Sequence, residues 1–131
     1  MAKILVVDDS SVIRESLKAT LGGEGYEVLE AQDGAFALKV VLATPDIEVI
    51  LTDINMPNLD GFGLCQEIRN KLPPTQKPAS IIALTTESSP EMKQKGKDVG
   101  IKGWLNKPHD PERLLLAVKM ILEKRKTQGG G

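Results

Sequence analysis

Two hydrophobic patterns alternate along this chain. The short apolar runs Ile4-Leu5-Val6-Val7, Ile47-Glu48-Val49-Ile50-Leu51-Thr52 and Ile81-Ile82-Ala83-Leu84 read as strands built for a core. Between them, apolar residues recur at the period of an amphipathic helix. Ile13, Leu17 and Leu21 stand four apart behind Ser10 or Ser11, either of which can cap a helix, and Gly22-Gly23 stops it. Tyr26-Glu27-Val28-Leu29 reads as a more exposed strand. Asp33 caps a helix carrying Ala35, Leu38 and Leu42, closed before Pro45. Asp60 caps the next, which buries Phe62, Cys65 and Ile68, and Pro73, Pro74 and Pro78 mark a loop. The fourth helix opens near Ser89-Pro90. It offers mainly Met92 and Val99 to a core, and Gly96 inside it costs ~1 kcal/mol relative to alanine. A weak hold on the core is expected there. A short strand around Trp104-Leu105 follows. The last helix starts at Asp110-Pro111 and is apolar through Leu114, Ala117, Val118 and Ile121.

Strands and helices in strict alternation predict an α/β fold with a parallel sheet. Right-handed crossovers leave few topologies. The expected one is a flavodoxin-like (βα)5 sheet of order 2-1-3-4-5 with helices on both faces, whose ligands bind beyond the carboxyl ends of strands one and three. Asp8-Asp9 and Asp53 follow those two strands. Thr85 ends the fourth strand and Lys107 follows the fifth, so acids, a hydroxyl and an amine collect at one edge of one sheet.

Composition narrows the class. A chain of 131 residues, 40% hydrophobic and 27% charged, suits one globular domain without disulfides or a structural metal. We expect that domain over residues 1–124, with a disordered tail over 125–131 ending in Gly129-Gly130-Gly131. Lys and Arg (17) nearly cancel Asp and Glu (18), which argues against nucleic acid or an anionic membrane as partner. No apolar stretch is long enough to span a bilayer, and no apolar signal segment opens the chain. With Cys65 as its only cysteine the chain can form no internal disulfide, so the cytoplasm is the expected compartment.

Taken alone, Asp53 suits a helix cap or a solvated loop better than chemistry. As a nucleophile, its carboxylate can carry a phosphoryl group as a mixed anhydride. Asp8 and Asp9 shift the balance, because carboxylates 4 Å apart repel by about 4 kcal/mol per pair at an effective dielectric near 20. Such a cluster calls for a cation or raised pKa values. Oxygen ligands without nearby cysteine or histidine favour Mg²⁺ over zinc, and the Asn55 carbonyl is placed to be a further ligand. Lys107, otherwise a turn lysine, can pair with Asp53 and then hold a phosphoryl oxygen. Pro108 permits a cis bond before it, which would re-aim the lysine inward. Thr85 can cap or donate to a phosphoryl oxygen. Trp104 can serve as core or, by pointing in or out, report what Thr85 does.

Asp8-Asp9, Asp53 with Asn55-Met56-Pro57 and Asp60-Gly61, Thr85, and Trp104 with Lys107-Pro108 together resemble the receiver domain of bacterial two-component response regulators, from about Lys3 to Lys124. The resemblance implies that Asp53 takes a phosphoryl group from a sensor histidine kinase. Asp9, Asp53 and the Asn55 carbonyl would hold Mg²⁺, with Asp8 acting largely through metal-bound water. Thr85 and Lys107 would contact the phosphoryl oxygens. Trp104 stands at the switch aromatic position, more often Tyr or Phe, and His109 replaces a common phenylalanine. Thr85-Thr86-Glu87, the polar fourth helix and Gly103-Trp104-Leu105 look most like stand-alone chemotaxis (CheY-like) regulators, and a receiver without an effector domain is expected. That type implies a switch rather than an enzyme with a separate substrate. It would be a monomer when unphosphorylated, acting on a partner such as a flagellar motor switch protein. A phosphorelay intermediate or phosphate sink is the alternative output. A phosphatase of the haloacid dehalogenase type is the competing class, but it needs an aspartate where this chain has Asn55, and a cap domain.

Overall fold

The computed structural model of the chain describes residues 1–128. Strands β1 (Lys3–Val7), β2 (Glu27–Ala31), β3 (Ile47–Thr52), β4 (Ser80–Thr85) and β5 (Ile101–Asn106) alternate with helices α1 (Ser11–Gly22), α2 (Gly34–Ala43), α3 (Gly61–Lys71), α4 (Pro90–Asp98) and α5 (Pro111–Gln128). All pairings are parallel and the order is β2-β1-β3-β4-β5, the topology that the alternation of patterns predicts.

Strand side chains alternate between faces, so each apolar run feeds two cores. Ile4, Val6, Val49, Leu51, Ile82 and Leu84 pack with Leu17 and Leu21 of α1 and Leu114 and Val118 of α5. Leu5, Val7, Ile50 and Ala83 face the other way, onto Ala37 and Val41 of α2 and Phe62, Leu64, Cys65 and Ile68 of α3. Two irregularities break strict alternation. Lys3 and Ile4 face Ile47 and Val49, so Glu48 is an extra residue in β3 and Ile47 joins Ile50 on one face. Ile81 and Ile82 face Ile101 and Gly103, so Lys102 is extra in β5 and Trp104 shares a face with Ile101.

The caps expected at Ser10, Asp33 and Asp60 are in place, and Ser89 supplies a fourth. Ser10, Asp33, Asp60 and Ser89 accept from the backbone N–H groups of Ile13, Phe36, Gly63 and Met92, which satisfies helix-end donors. Three expectations change. In α2 the core face is Ala37 and Val41 with Leu38 beside them, while Ala35 and Leu42 are exposed. The exposed strand is Glu27–Ala31 rather than 26–29, because its pairing follows β1 through Val7↔Ala31. The tail expected from 125 is helical as far as Gln128. Arg125 anchors that turn, its Nη1 donating to Pro78 O and Ser80 Oγ, both at 3.0 Å. The rest of the expected tail, 129–131, lies outside the described residues. Among the described residues, no helix is long and apolar enough to cross a membrane.

Candidate functional site

Register sets the site. Val7 pairs with Thr52, and the Asp53 N–H donates to Val7 O at 2.9 Å, so Asp8 and Asp53 stand level at the carboxyl edge. Thr85 pairs with Asn106, and the Lys107 N–H donates to Thr85 O at 3.0 Å, which brings the amine to the same edge. The Lys107-Pro108 bond is cis. Gly61 lets the chain close over Asp53: a Cβ there would lie 2.6 Å from the Asp53 carbonyl oxygen, while its N–H donates to Ile54 O at 2.9 Å.

Asp8, Asp9 and Asp53 each present an oxygen within 4.8 Å of the others. Asp8 and Asp53 are 1% and 9% exposed, whereas Asp9 is an exposed residue. The Lys107 ammonium bridges the two buried acids, 2.6 Å from Asp8 Oδ2 and 2.8 Å from Asp53 Oδ2. Each acid's other oxygen accepts from backbone: Asp8 Oδ1 from the Ser10 N–H at 2.9 Å and Asp53 Oδ1 from the Ile54 N–H at 2.7 Å. Burial drags the Lys107 pKa down, but the bonds to Asp53 and Asp8 outweigh it and hold the ammonium above its ordinary value. The sequence reading paired Lys107 with Asp53 alone; the shorter contact is to Asp8. The cation that the acid cluster called for is thus partly supplied by the chain itself. The donor set is all oxygen, with second lone pairs still open on its carboxylates, and it fits a hard divalent cation.

Thr85 is wholly buried, and its Oγ1 accepts from the Glu87 N–H at 3.2 Å. Trp104 is half-buried on the α4 side, its ring 6.5 Å from that of Phe62 and its Nε1 donating to Glu87 O at 2.8 Å. The Asn55 amide donates to Glu87 Oε1 at 3.2 Å. One residue therefore touches the loop after Asp53, the loop after Thr85 and the indole of Trp104. Sequence reasoning missed Glu87 in this position, since a lone acid in a loop gives no pattern to read. It also missed Arg14, which donates to Asp8 O at 2.7 Å and pairs with Glu30 at 3.3 Å. The geometry brings Asp8, Asp9, Asp53 and Lys107 together around one point, with Thr85 beside Lys107 and Pro108 just beyond it.

Residues 4–119 match the response regulator receiver domain. The chain is 35% identical over 128 residues to the response regulator MprA of Mycolicibacterium vanbaalenii, covering 98% of this chain and 53% of that protein. It spans about half the length of the curated relatives it matches. Among solved structures, the chemotaxis protein CheY4 of Vibrio cholerae superposes with a TM-score of 0.85 at 45% identity, covering 92% of this chain and 98% of that one. A receiver domain protein from Clostridium thermocellum gives 0.87 at 29% identity, covering 98% and 99%. The chain belongs to the response regulator receiver domain family.

Proposed function

We propose that Asp53 is the phosphoacceptor of this receiver, charged by a sensor histidine kinase. A carboxylate oxygen of Asp53 attacks phosphorus, the phosphorus–nitrogen bond of the phosphohistidine breaks, and a mixed anhydride remains. The observation that carries this is Lys107 held between Asp8 and Asp53 at 2.6 and 2.8 Å, which keeps a cation at the atom that must receive a phosphoryl group. Lys107 then moves from the carboxylates to a phosphoryl oxygen, and the Thr85 hydroxyl, released from the Glu87 N–H, donates to another. Mg²⁺, held by Asp9, Asp53 and the Asn55 carbonyl with Asp8 acting through bound water, would neutralise phosphoryl charge when bound. Displacement of Thr85 alters the loop through Glu87, which in turn holds Trp104. The output surface is α4–β5–α5. Its target is a chemotaxis partner such as a flagellar motor switch protein, a reading that rests on the 45% identity to a chemotaxis regulator spanning 98% of that protein.

Incubation with acetyl phosphate and Mg²⁺ should add a single phosphoryl group by intact mass, and Asp53→Asn should abolish it. Full labelling of that variant, or labelling indifferent to EDTA, would remove Asp53 or the metal from the mechanism. At saturating Mg²⁺, a beryllofluoride mimic should change Trp104 emission and acrylamide quenching, and Thr85→Ala should uncouple the change. A full response in Thr85→Ala would put the coupling through Lys107 or the loop after Thr85 instead.

A further inference from the structure

The amino-terminal edge of the sheet, opposite the acidic site, holds a cavity of about 410 Å³ between the end of α3, the loop into β4, the start of β5 and the last turns of α5. Ser80 and Thr85 are the two ends of β4, so at ~3.3 Å per residue the cavity and the acidic site lie roughly 17 Å apart. No molecule of ordinary metabolite size reaches both.

Four cations line the cavity, Arg69, Lys77, Lys102 and Arg125, and no aspartate or glutamate does. Among the described residues, none of the four is in an ion pair. Asp46 and Glu48 line an adjoining hollow shared with Lys77 and Arg125, and Asp46 is taken by Lys3 at 2.7 Å. Lys77 and Arg125 already tie the wall together: Lys77 Nζ donates to Arg125 O at 3.3 Å, and Arg125 Nη1 to Pro78 O and Ser80 Oγ. Arg69 and Lys102 have no such work. Lys102 is the extra residue of the β5 irregularity, and the Arg69 guanidinium lies over Gly100, where a Cβ would come 2.7 Å from Nη2. Cys65, Leu72 and Val99 give the cavity apolar wall between the charges.

We propose that this cavity binds a small organic polyanion of mononucleotide size, a phosphate-bearing molecule with an uncharged body. Unneutralised like charges around a concave wall focus the field on one point. Arginine forks match phosphate oxygens two bonds at a time. The volume is that of a small-molecule pocket, too roomy for a lone inorganic anion, and its apolar stretches suit the uncharged part. The net charge of −1 argues against a nucleic acid polymer as the source of the phosphate.

The test is a titration of the ¹⁵N-labelled chain with ATP, without divalent metal, followed by amide shifts. Saturable shifts are expected at Arg69, Ser80, Gly100 and Lys102, with no binding of adenosine. Arg69→Gln combined with Lys102→Gln should cost about tenfold or more in affinity. Both positions are exposed, so the thermal midpoint should not move, and Lys102→Gln alone should already weaken binding. The proposal is overturned if ATP fails to saturate at millimolar concentration, or if the shifts fall only around Asp8, Asp53 and Thr85. It is equally overturned if citrate and inorganic phosphate at matched charge move the same amides as far, since that is screening of exposed cations.

Discussion

Helices α3 and α4 are of similar length, eleven and nine residues, and each begins on a side-chain cap, Asp60 and Ser89. They differ in what they bury. α3 puts Gly61, Phe62, Leu64, Cys65 and Ile68 out of solvent, whereas Gly96 is the one buried residue of α4. Each fully buried aliphatic side chain is worth ~1.5–3 kcal/mol, so α3 is fixed by several times more apolar free energy than α4. Their close-packed glycines differ too. A Cβ at Gly61 would meet the Asp53 backbone, but one at Gly96 would meet the Trp104 ring, 2.9 Å from Cζ3. One contact locks the loop after Asp53 against main chain; the other sets a helix against a side chain. A switch needs both, a rigid site and an element that moves at small cost.

The comparison breaks most visibly if the two helices prove equally fixed. Leu64→Ala in α3 should lower unfolding free energy by ~2–5 kcal/mol, and Met92→Ala in α4 by less than ~1 kcal/mol, read from urea midpoints at constant m. Equal losses would mean that α4 is as firmly held as α3. Lys107→Ala tests the rigid site next. It leaves Asp8 and Asp53 facing each other without a cation, so apo stability should drop by roughly 1–3 kcal/mol. Mg²⁺ should then recover more stability in the variant than in the parent. No drop without metal would show that the bridging ammonium does not relieve the acids.

Asp33 sharpens the rigid side through pH. Its carboxylate accepts from the Phe36 N–H and the Asn58 amide, both at 2.8 Å, and these bonds hold its pKa below the ordinary aspartate value. A depressed folded-state pKa contributes stability above the unfolded value, near pH ~3.9, and loses it as pH falls through the folded one. Asp33→Ala should therefore cost ~1 kcal/mol at pH 7, and the gap to the parent should close only below pH ~3.9. A gap unchanged at pH 2 would assign the loss to packing. The smallest effect on stability is expected from Gly96→Ala. Helix propensity favours alanine by about 1 kcal/mol, and the contact with Trp104 opposes it. The net should be near zero, while acrylamide quenching of Trp104 should rise as the ring is pushed outward. Unchanged quenching with a full propensity gain would show that the ring gives way inside the core.

Most of the fold was legible because burial on two faces writes continuous apolar runs and burial on one face writes a 3.6-residue period. The strand order, the caps at Ser10, Asp33 and Asp60 and the edge carrying Asp8, Asp9, Asp53, Thr85 and Lys107 all follow from those runs and the residues that punctuate them. Where a strand begins was less legible: β2 is an exposed edge, and only its pairing to β1 fixes it at Glu27–Ala31.

Tertiary structure alone decided three further things. The extra residues Glu48 and Lys102 appear only when β3 and β5 are laid against their neighbours, and the second sets Trp104 on the face it shares with Ile101, toward α4. The bridge from Lys107 to Asp8 joins residues 99 positions apart, and no local pattern records such a distance. Glu87 reaches Asn55, Thr85 and Trp104 through two backbone atoms and one carboxylate oxygen. Backbone groups are the same at every position, so the sequence marks which side chains can do chemistry, and the fold determines which backbone they meet.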